Sequence, residues 1–119
     1  MKKILVVEDE KNIILSLEMF IKKKGFEVHV VKNGVDAVKL AQEIIPDLIL
    51  LDIVLPGMNG YLVCEALKDE DETKEIPIVF ISAKSQEEDI KKAYDCGGVD
   101  YVIKPFNHSE IQEILNKYL

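Results

Sequence analysis

The sequence predicts an α/β protein in which a parallel sheet carries helices on both faces. Two observations point there. Leu48, Ile49, Leu50 and Leu51 form an unbroken aliphatic run with no polar alternation, the mark of a strand buried on both faces. Short apolar runs of this kind then alternate with helix-spaced patterns five times, each connection long enough for a crossover. The chain of 119 residues, 48% hydrophobic and 31% charged, has material for one well-formed core, so a single domain over residues 1–119 is expected.

Taken in order, Ile4 to Val7 is the first buried strand, ending on Glu8, Asp9 and Glu10. Ile13, Leu17, Phe20, Ile21 and Lys24 follow helical spacing until Gly25 supplies a stop. Phe26 to Val31 alternates apolar and polar residues, as a strand near a sheet edge would. Asn33 and Gly34 turn the chain into a second helix, with Val35, Val38, Ala41 and Ile45 expected to face inward and Pro46 closing it. The central strand ends abruptly on Asp52, before a loop broken by Pro56, Gly57, Asn59 and Gly60. Leu62, Val63, Ala66 and Leu67 mark a third helix that fades into the acids Asp69 to Glu72. Ile78 to Ile81 is the fourth strand, ending on Ser82, Ala83 and Lys84; a fourth helix from Glu87 to Cys96 stops at Gly97 and Gly98. Tyr101 to Ile103 is the fifth strand, ending on Lys104 and Pro105. Ser109 is the expected N-cap region of a last helix striped by Ile111, Ile114, Leu115 and Tyr118.

Bulk properties exclude several classes. No apolar run approaches the ~20 residues of a membrane helix, and the apolar stretch behind Met1, Lys2 and Lys3 is too short for a signal peptide, so a cytoplasmic domain is expected. A net charge of −7 argues against nucleic acid or an anionic membrane as direct partners. Cys64 and Cys96 lack CxxC spacing and a companion His, and read as reduced packing thiols. His29 and His108 read as surface residues, Met58 as loop packing, and Glu10 as an acid favoured by a helix dipole.

In a parallel sheet the carboxyl ends of the strands share one edge, where ligands bind. That edge would gather Glu8 and Asp9, Asp52, Ser82 and Lys104. A strand-end Asp can also do no more than cap its loop. The set nevertheless has a chemical logic. Carboxylates without His or Cys make a hard oxygen environment suited to Mg²⁺ or Mn²⁺. Without a cation their repulsion would drive at least one carboxylate pKa upward. A serine hydroxyl and a lysine suit the oxygens of a phosphoryl group, which a carboxylate nucleophile can accept as an acyl phosphate.

Four blocks now carry a resemblance: Ile4 to Glu10, Asp47 to Gly60, Ile78 to Lys84, and Asp100 to Phe106. Together, in that order and spacing, they resemble the receiver domain of two-component response regulators, including the single-domain chemotaxis-type regulators. The resemblance implies a flavodoxin-like sheet of order 2-1-3-4-5 and a phosphorylation-dependent switch, not an enzyme acting on other substrates. It implies Asp52 as the phosphoacceptor, with Mg²⁺ held by Asp9, Asp52 and the backbone carbonyl of Val54, and by Glu8 through a water. Ser82 and Lys104 would contact the phosphoryl oxygens, the Lys104–Pro105 peptide would be cis, and Tyr101 would be an aromatic switch coupled to Ser82. The phosphoryl donor would be a histidine kinase or histidine phosphotransfer protein. A downstream target or a homodimer would use the face of the fourth helix, fifth strand and fifth helix, around Lys91, Lys92, Asp95 and Tyr101. Three positions vary within the family pattern: Glu8 where Asp is frequent, Ser82 where Thr is common, and Gly98 where Ala is usual, the last expected to loosen the end of the fourth helix.

Two rival classes fit less well. A phosphatase of the haloacid-dehalogenase kind needs a second carboxylate two residues after the nucleophile, where this chain has Val54. A flavin-binding flavodoxin needs a phosphate loop after the first strand, where Glu8, Asp9 and Glu10 would repel it.

Overall fold

A computed structural model describes residues 1–119. Strands and helices alternate throughout: β1 (Lys3–Val7), α1 (Lys11–Lys23), β2 (Glu27–Val31), α2 (Gly34–Ile44), β3 (Leu48–Leu51), α3 (Gly60–Lys68), β4 (Ile78–Ser82), α4 (Glu87–Asp95), β5 (Asp100–Ile103) and α5 (His108–Tyr118). The five strands form one sheet in the order β2-β1-β3-β4-β5, and every pairing is parallel. This is the flavodoxin-like arrangement. From β1 the chain adds β2 on one side and then crosses to β3 on the other, so the strand order reverses between β1 and β3.

Alternate strand residues feed two separate cores, as the two-residue period of a strand requires. Leu5, Val7, Ile49, Leu51 and Phe80 meet α2, α3 and α4. Ile4, Val6, Leu48, Leu50, Val79 and Ile81 meet α1 and α5 through Leu17, Ile21, Ile111, Ile114 and Leu115. With both faces covered, Leu48 to Leu51 are all buried, which explains their unbroken aliphatic character. No helix is long and apolar enough to cross a membrane.

Helix phase departs from the sequence reading in places. Val35 and Ile45, expected inward, are 52% and 43% exposed, while Ala41 is buried as expected and Ala37 is buried with it. Small residues let α2 approach closely, and Ile45 leaves the helix in a left-handed conformation (φ 44°) that turns its side chain out. Leu62 is likewise exposed, because the buried stripe of α3 runs through Gly60, Tyr61, Val63, Cys64 and Leu67. The N-cap of α5 is Asn107, whose side chain accepts the Glu110 N–H at 3.0 Å, two residues ahead of the expected Ser109. Asn33 and Asn59 cap α2 and α3 in the same way. Gly98 was expected to loosen the end of α4. The structure gives Gly98 a packing role: a β-carbon there would lie 2.7 Å from the Phe80 ring and 2.9 Å from the Ala93 carbonyl oxygen.

Candidate functional site

The sheet's hydrogen-bond ladder continues one residue past several strands, and this fixes where the functional side chains stand. The Glu8 N–H donates to the Val31 carbonyl at 3.1 Å, and the Asp52 N–H to the Val7 carbonyl at 3.0 Å. The Lys104 N–H donates to the Ser82 carbonyl at 2.9 Å. Asp52 is thereby stitched between β3 and β1, at the reversal in strand order. Behind it, α3 begins so close that a β-carbon on Gly60 would collide with the Asp52 carbonyl oxygen. Only glycine fits there.

Lys104 organises the side chains. Its Nζ lies 2.7 Å from Glu8 Oε1, 3.0 Å from Asp52 Oδ2 and 3.2 Å from Glu10 Oε1. The other oxygens of the two buried acids are held by backbone: Glu8 Oε2 accepts the N–H groups of Asp9 and Glu10 at 3.1 Å, and Asp52 Oδ1 accepts the Ile53 N–H at 2.7 Å. Glu8 and Asp52 are only 2% and 4% exposed. Carboxylate oxygens of Glu8, Glu10 and Asp52 come within 4.8 Å of one another. This donor set, all oxygen and without nitrogen or sulfur, suits Mg²⁺ or Mn²⁺.

Burial is the main force pushing the Glu8 carboxyl up to about 7; the Lys104 hydrogen bond and the Glu10 N–H oppose it, and the Asp52 charge adds to it. The rise expected from repulsion between acids is therefore present at Glu8, but desolvation is its leading cause. Burial also works against the Lys104 charge. Hydrogen bonds to Glu8 and Asp52, together with their charges, outweigh it and hold the ammonium above the ordinary lysine range. The cluster thus keeps a fixed cation beside an excess of carboxylates.

Ser82 is buried, and its Oγ accepts the Lys84 N–H at 3.2 Å. Tyr101 is half-buried, its ring stacked on Phe80 with centroids 6.4 Å apart, and its hydroxyl donates to the Lys84 carbonyl at 2.6 Å. The backbone of Lys84 thus joins Ser82 to Tyr101, a link that nothing in the sequence spacing announces. The Lys104–Pro105 peptide is cis. Asp9 is exposed, and Val54 is 62% exposed. Glu10, read from the sequence only as a helix-dipole acid, sits at the N-cap of α1 without capping it and turns its carboxylate to Lys104 instead. The run of three acids after β1 was the available signal.

A partly buried acid cluster held by one lysine, at the reversal point of a 2-1-3-4-5 sheet, points to a class of protein as well as a fold. The chain belongs to the response regulator receiver domain family, which it matches over residues 4–116. It is similar to the receiver domain of a sensor histidine kinase from Pseudomonas aeruginosa PAO1, at 30% identity and a TM-score of 0.91 over 98% of this chain and 96% of that one. That protein has a magnesium ion coordinated in its active-site cleft. The chemotaxis protein CheY4 of Vibrio cholerae is 26% identical, with a TM-score of 0.93 over 100% of this chain and 99% of that one. The receiver domain of a signal transduction histidine kinase from Syntrophus aciditrophicus is 28% identical, with a TM-score of 0.91 over 100% and 90% of the two chains. The protein is a phosphorylation-dependent signalling domain whose chemistry is confined to its own phosphorylation and dephosphorylation.

Proposed function

We propose that Asp52 is the phosphoacceptor and takes its phosphoryl group from the phosphohistidine of a histidine kinase or phosphotransfer protein. The observation that carries this reading is the Asp52 carboxylate itself: it ends the central strand, is 4% exposed, and is held by Ile53 on one oxygen and Lys104 on the other. A carboxylate oxygen of Asp52 attacks phosphorus while the bond from phosphorus to the donor imidazole breaks, and the electron pair leaves with the imidazole. Lys104 meets the charge on the transferring oxygens, and Ser82 donates its hydroxyl to another of them. The proposed Mg²⁺ ligands are Asp9, Asp52 and the Val54 backbone carbonyl, with Glu8 acting through a water and Glu10 close by. When bound, the ion supplies further neutralisation of negative charge beside the acceptor.

Ser82 and Tyr101 form the proposed switch. The bond from Tyr101 to Lys84 supports it, because any movement of Ser82 toward a phosphoryl oxygen pulls on the same backbone segment. The proposed contact for a downstream target or a second copy is the face of α4, β5 and α5, where Tyr94, Val99 and Ile103 are exposed apolar groups beside Lys91, Lys92 and Asp95.

Incubation with Mg²⁺ and acetyl phosphate tests the acceptor. The protein gains one phosphoryl mass, labile to base, and Asp52→Asn abolishes the gain. Phosphate uptake by that variant at the wild-type rate would overturn the assignment.

A further inference from the structure

Away from the acid cluster, two cysteines meet where α3 passes the end of α4. Cys64 lies in α3 and is fully buried; Cys96 is the C-cap of α4 and is half-buried. The Cys64 thiol donates to the Cys96 carbonyl at 3.2 Å, and the Cys96 thiol donates to the Ala93 carbonyl at 3.2 Å. Residues 32 positions apart are thus held side by side, the Cys64 sulfur against the Cys96 backbone, across the seam between two helices.

We propose that Cys64 and Cys96 are an oxidant-sensitive pair that closes to an intramolecular disulfide between α3 and the end of α4 when the protein meets a peroxide or a small-molecule disulfide. Their exposure assigns the roles: Cys64 is fully buried, and Cys96 is the half-buried thiol that a reagent reaches first. Hydrogen bonding to Cys96, with burial adding to it, holds the Cys64 thiol well above the ordinary range, so it is unreactive toward solvent. Hydrogen bonding from Cys64 holds Cys96 below that range, and Cys96 is the more accessible of the two.

With a peroxide, the Cys96 thiolate attacks one oxygen and the oxygen–oxygen bond breaks. The departing oxygen takes up a proton to leave as water, and Cys96 becomes a sulfenic acid. The Cys64 sulfur then attacks the Cys96 sulfur, and the sulfur–oxygen bond breaks as a second water leaves with the Cys64 proton. Two thiols and one peroxide become one disulfide and two waters. A small disulfide achieves the same by two exchanges, with Cys64 displacing the small thiol from Cys96.

The bond would fasten a weakly anchored helix. Ala93 is the only buried residue of α4, whereas α3 buries five. Neither thiol touches Asp52, so the pairing stands or falls independently of the phosphoacceptor reading.

The test treats the reduced protein with hydrogen peroxide or oxidised glutathione, then denatures it and alkylates the remaining thiols. Wild type is expected to lose two hydrogens in intact mass and both alkylatable thiols while staying monomeric on a non-reducing gel, and dithiothreitol restores it. Asp52→Asn behaves identically. Cys64→Ser is expected to stop at an oxygenated or mixed-disulfide Cys96, and Cys96→Ser to keep an unreacted Cys64. Two alkylatable thiols after treatment, oxygen uptake without loss of the pair, or only intermolecular dimers in wild type would overturn the proposal.

Discussion

On opposite faces of the sheet beside β5, α5 presses Ile111, Ile114 and Leu115 into the aliphatic core, while α4 contributes Ala93 alone to the other. Asn107 caps α5, and the Tyr118 hydroxyl near its end lies 3.1 Å from the Val99 carbonyl and 3.0 Å from Asp100. The N-cap of α4, Gln86, makes no side-chain bond, so that helix relies on Glu87, Glu88 and Asp89 facing its dipole. Polar handles from elsewhere place it: the Tyr61 hydroxyl donates to the Asp89 carbonyl at 3.1 Å, and Lys92 lies 4.7 Å above the Tyr61 ring. The loops leading into the two helices repeat the contrast. Lys104, before α5, makes three short ion pairs, whereas Ser82 and Lys84, before α4, share one backbone–hydroxyl bond. Hydrophobic burial fixes α5 in depth. Single hydrogen bonds fix α4 in position, and a helix held that way can take a second position at small cost.

The largest expected effect is on the Lys104 side. Lys104→Met strands Glu8 and Asp52 without their cation, and breaking a buried pair in this way costs about 3–5 kcal/mol. Ser82→Ala, on the other side, should cost about 0.5–1.5 kcal/mol. Urea unfolding at pH 8 in a chelator measures both, and equal losses would break the contrast. Next comes burial. Ile111→Ala in α5 should cost about 2–5 kcal/mol, while Tyr94→Ala on the exposed face of α4 should stay within about 0.5 kcal/mol.

A smaller effect is pH-dependent. The Glu8 carboxyl is raised to about 7 in the folded protein from an ordinary 4.5. Between those values the folded state holds the proton that the unfolded state has released. Metal-free stability should therefore be greatest at the acid side of this window and fall as pH rises through it, levelling off above about 7. Glu8→Gln should flatten that slope. A profile unchanged by Glu8→Gln would remove Glu8 as its source.

The sheet and most of the site were legible because both rest on strands. An aliphatic run buried on two faces cannot hide, and a polar residue at its end has one place to go, which is why the meeting of Glu8, Asp52 and Lys104 could be anticipated; Asp9, read with them, stands exposed outside the acid cluster. Helix phase was less legible. In α2 the sequence pattern rightly placed Ala41 inward but favoured the larger Val35, where close approach to the sheet selects Ala37. Glu10 was read as part of a helix, yet its extended N-cap conformation returns its carboxylate toward Lys104. The join at Lys84 was illegible for a different reason: Tyr101 reaches a backbone carbonyl, and any residue at position 84 would offer one.

That join yields the smallest stability effect and the sharpest test of the difference between the helices. Tyr101→Phe keeps the ring on Phe80 and removes the hydroxyl that bonds the Lys84 carbonyl, so it should cost about 0.5–1.5 kcal/mol. Burial holds the phenol above its ordinary range, so Tyr101 remains a donor throughout the neutral region. A phosphoryl group on Asp52 adds about −1.5 to −2 charge and strong acceptor oxygens, which draw the Ser82 hydroxyl and with it the Lys84 backbone. Beryllofluoride, a mimic of that group, should therefore shift the amide resonances of residues 82–98 and change their hydrogen exchange, leaving residues 108–118 of α5 near their starting values. In Tyr101→Phe the shifts around Asp52 should persist while those in α4 shrink. Equal perturbation of α4 and α5 would mean that the two helices move as one body. Undiminished α4 shifts in Tyr101→Phe would mean that the signal passes through the Ser82 loop without the tyrosine.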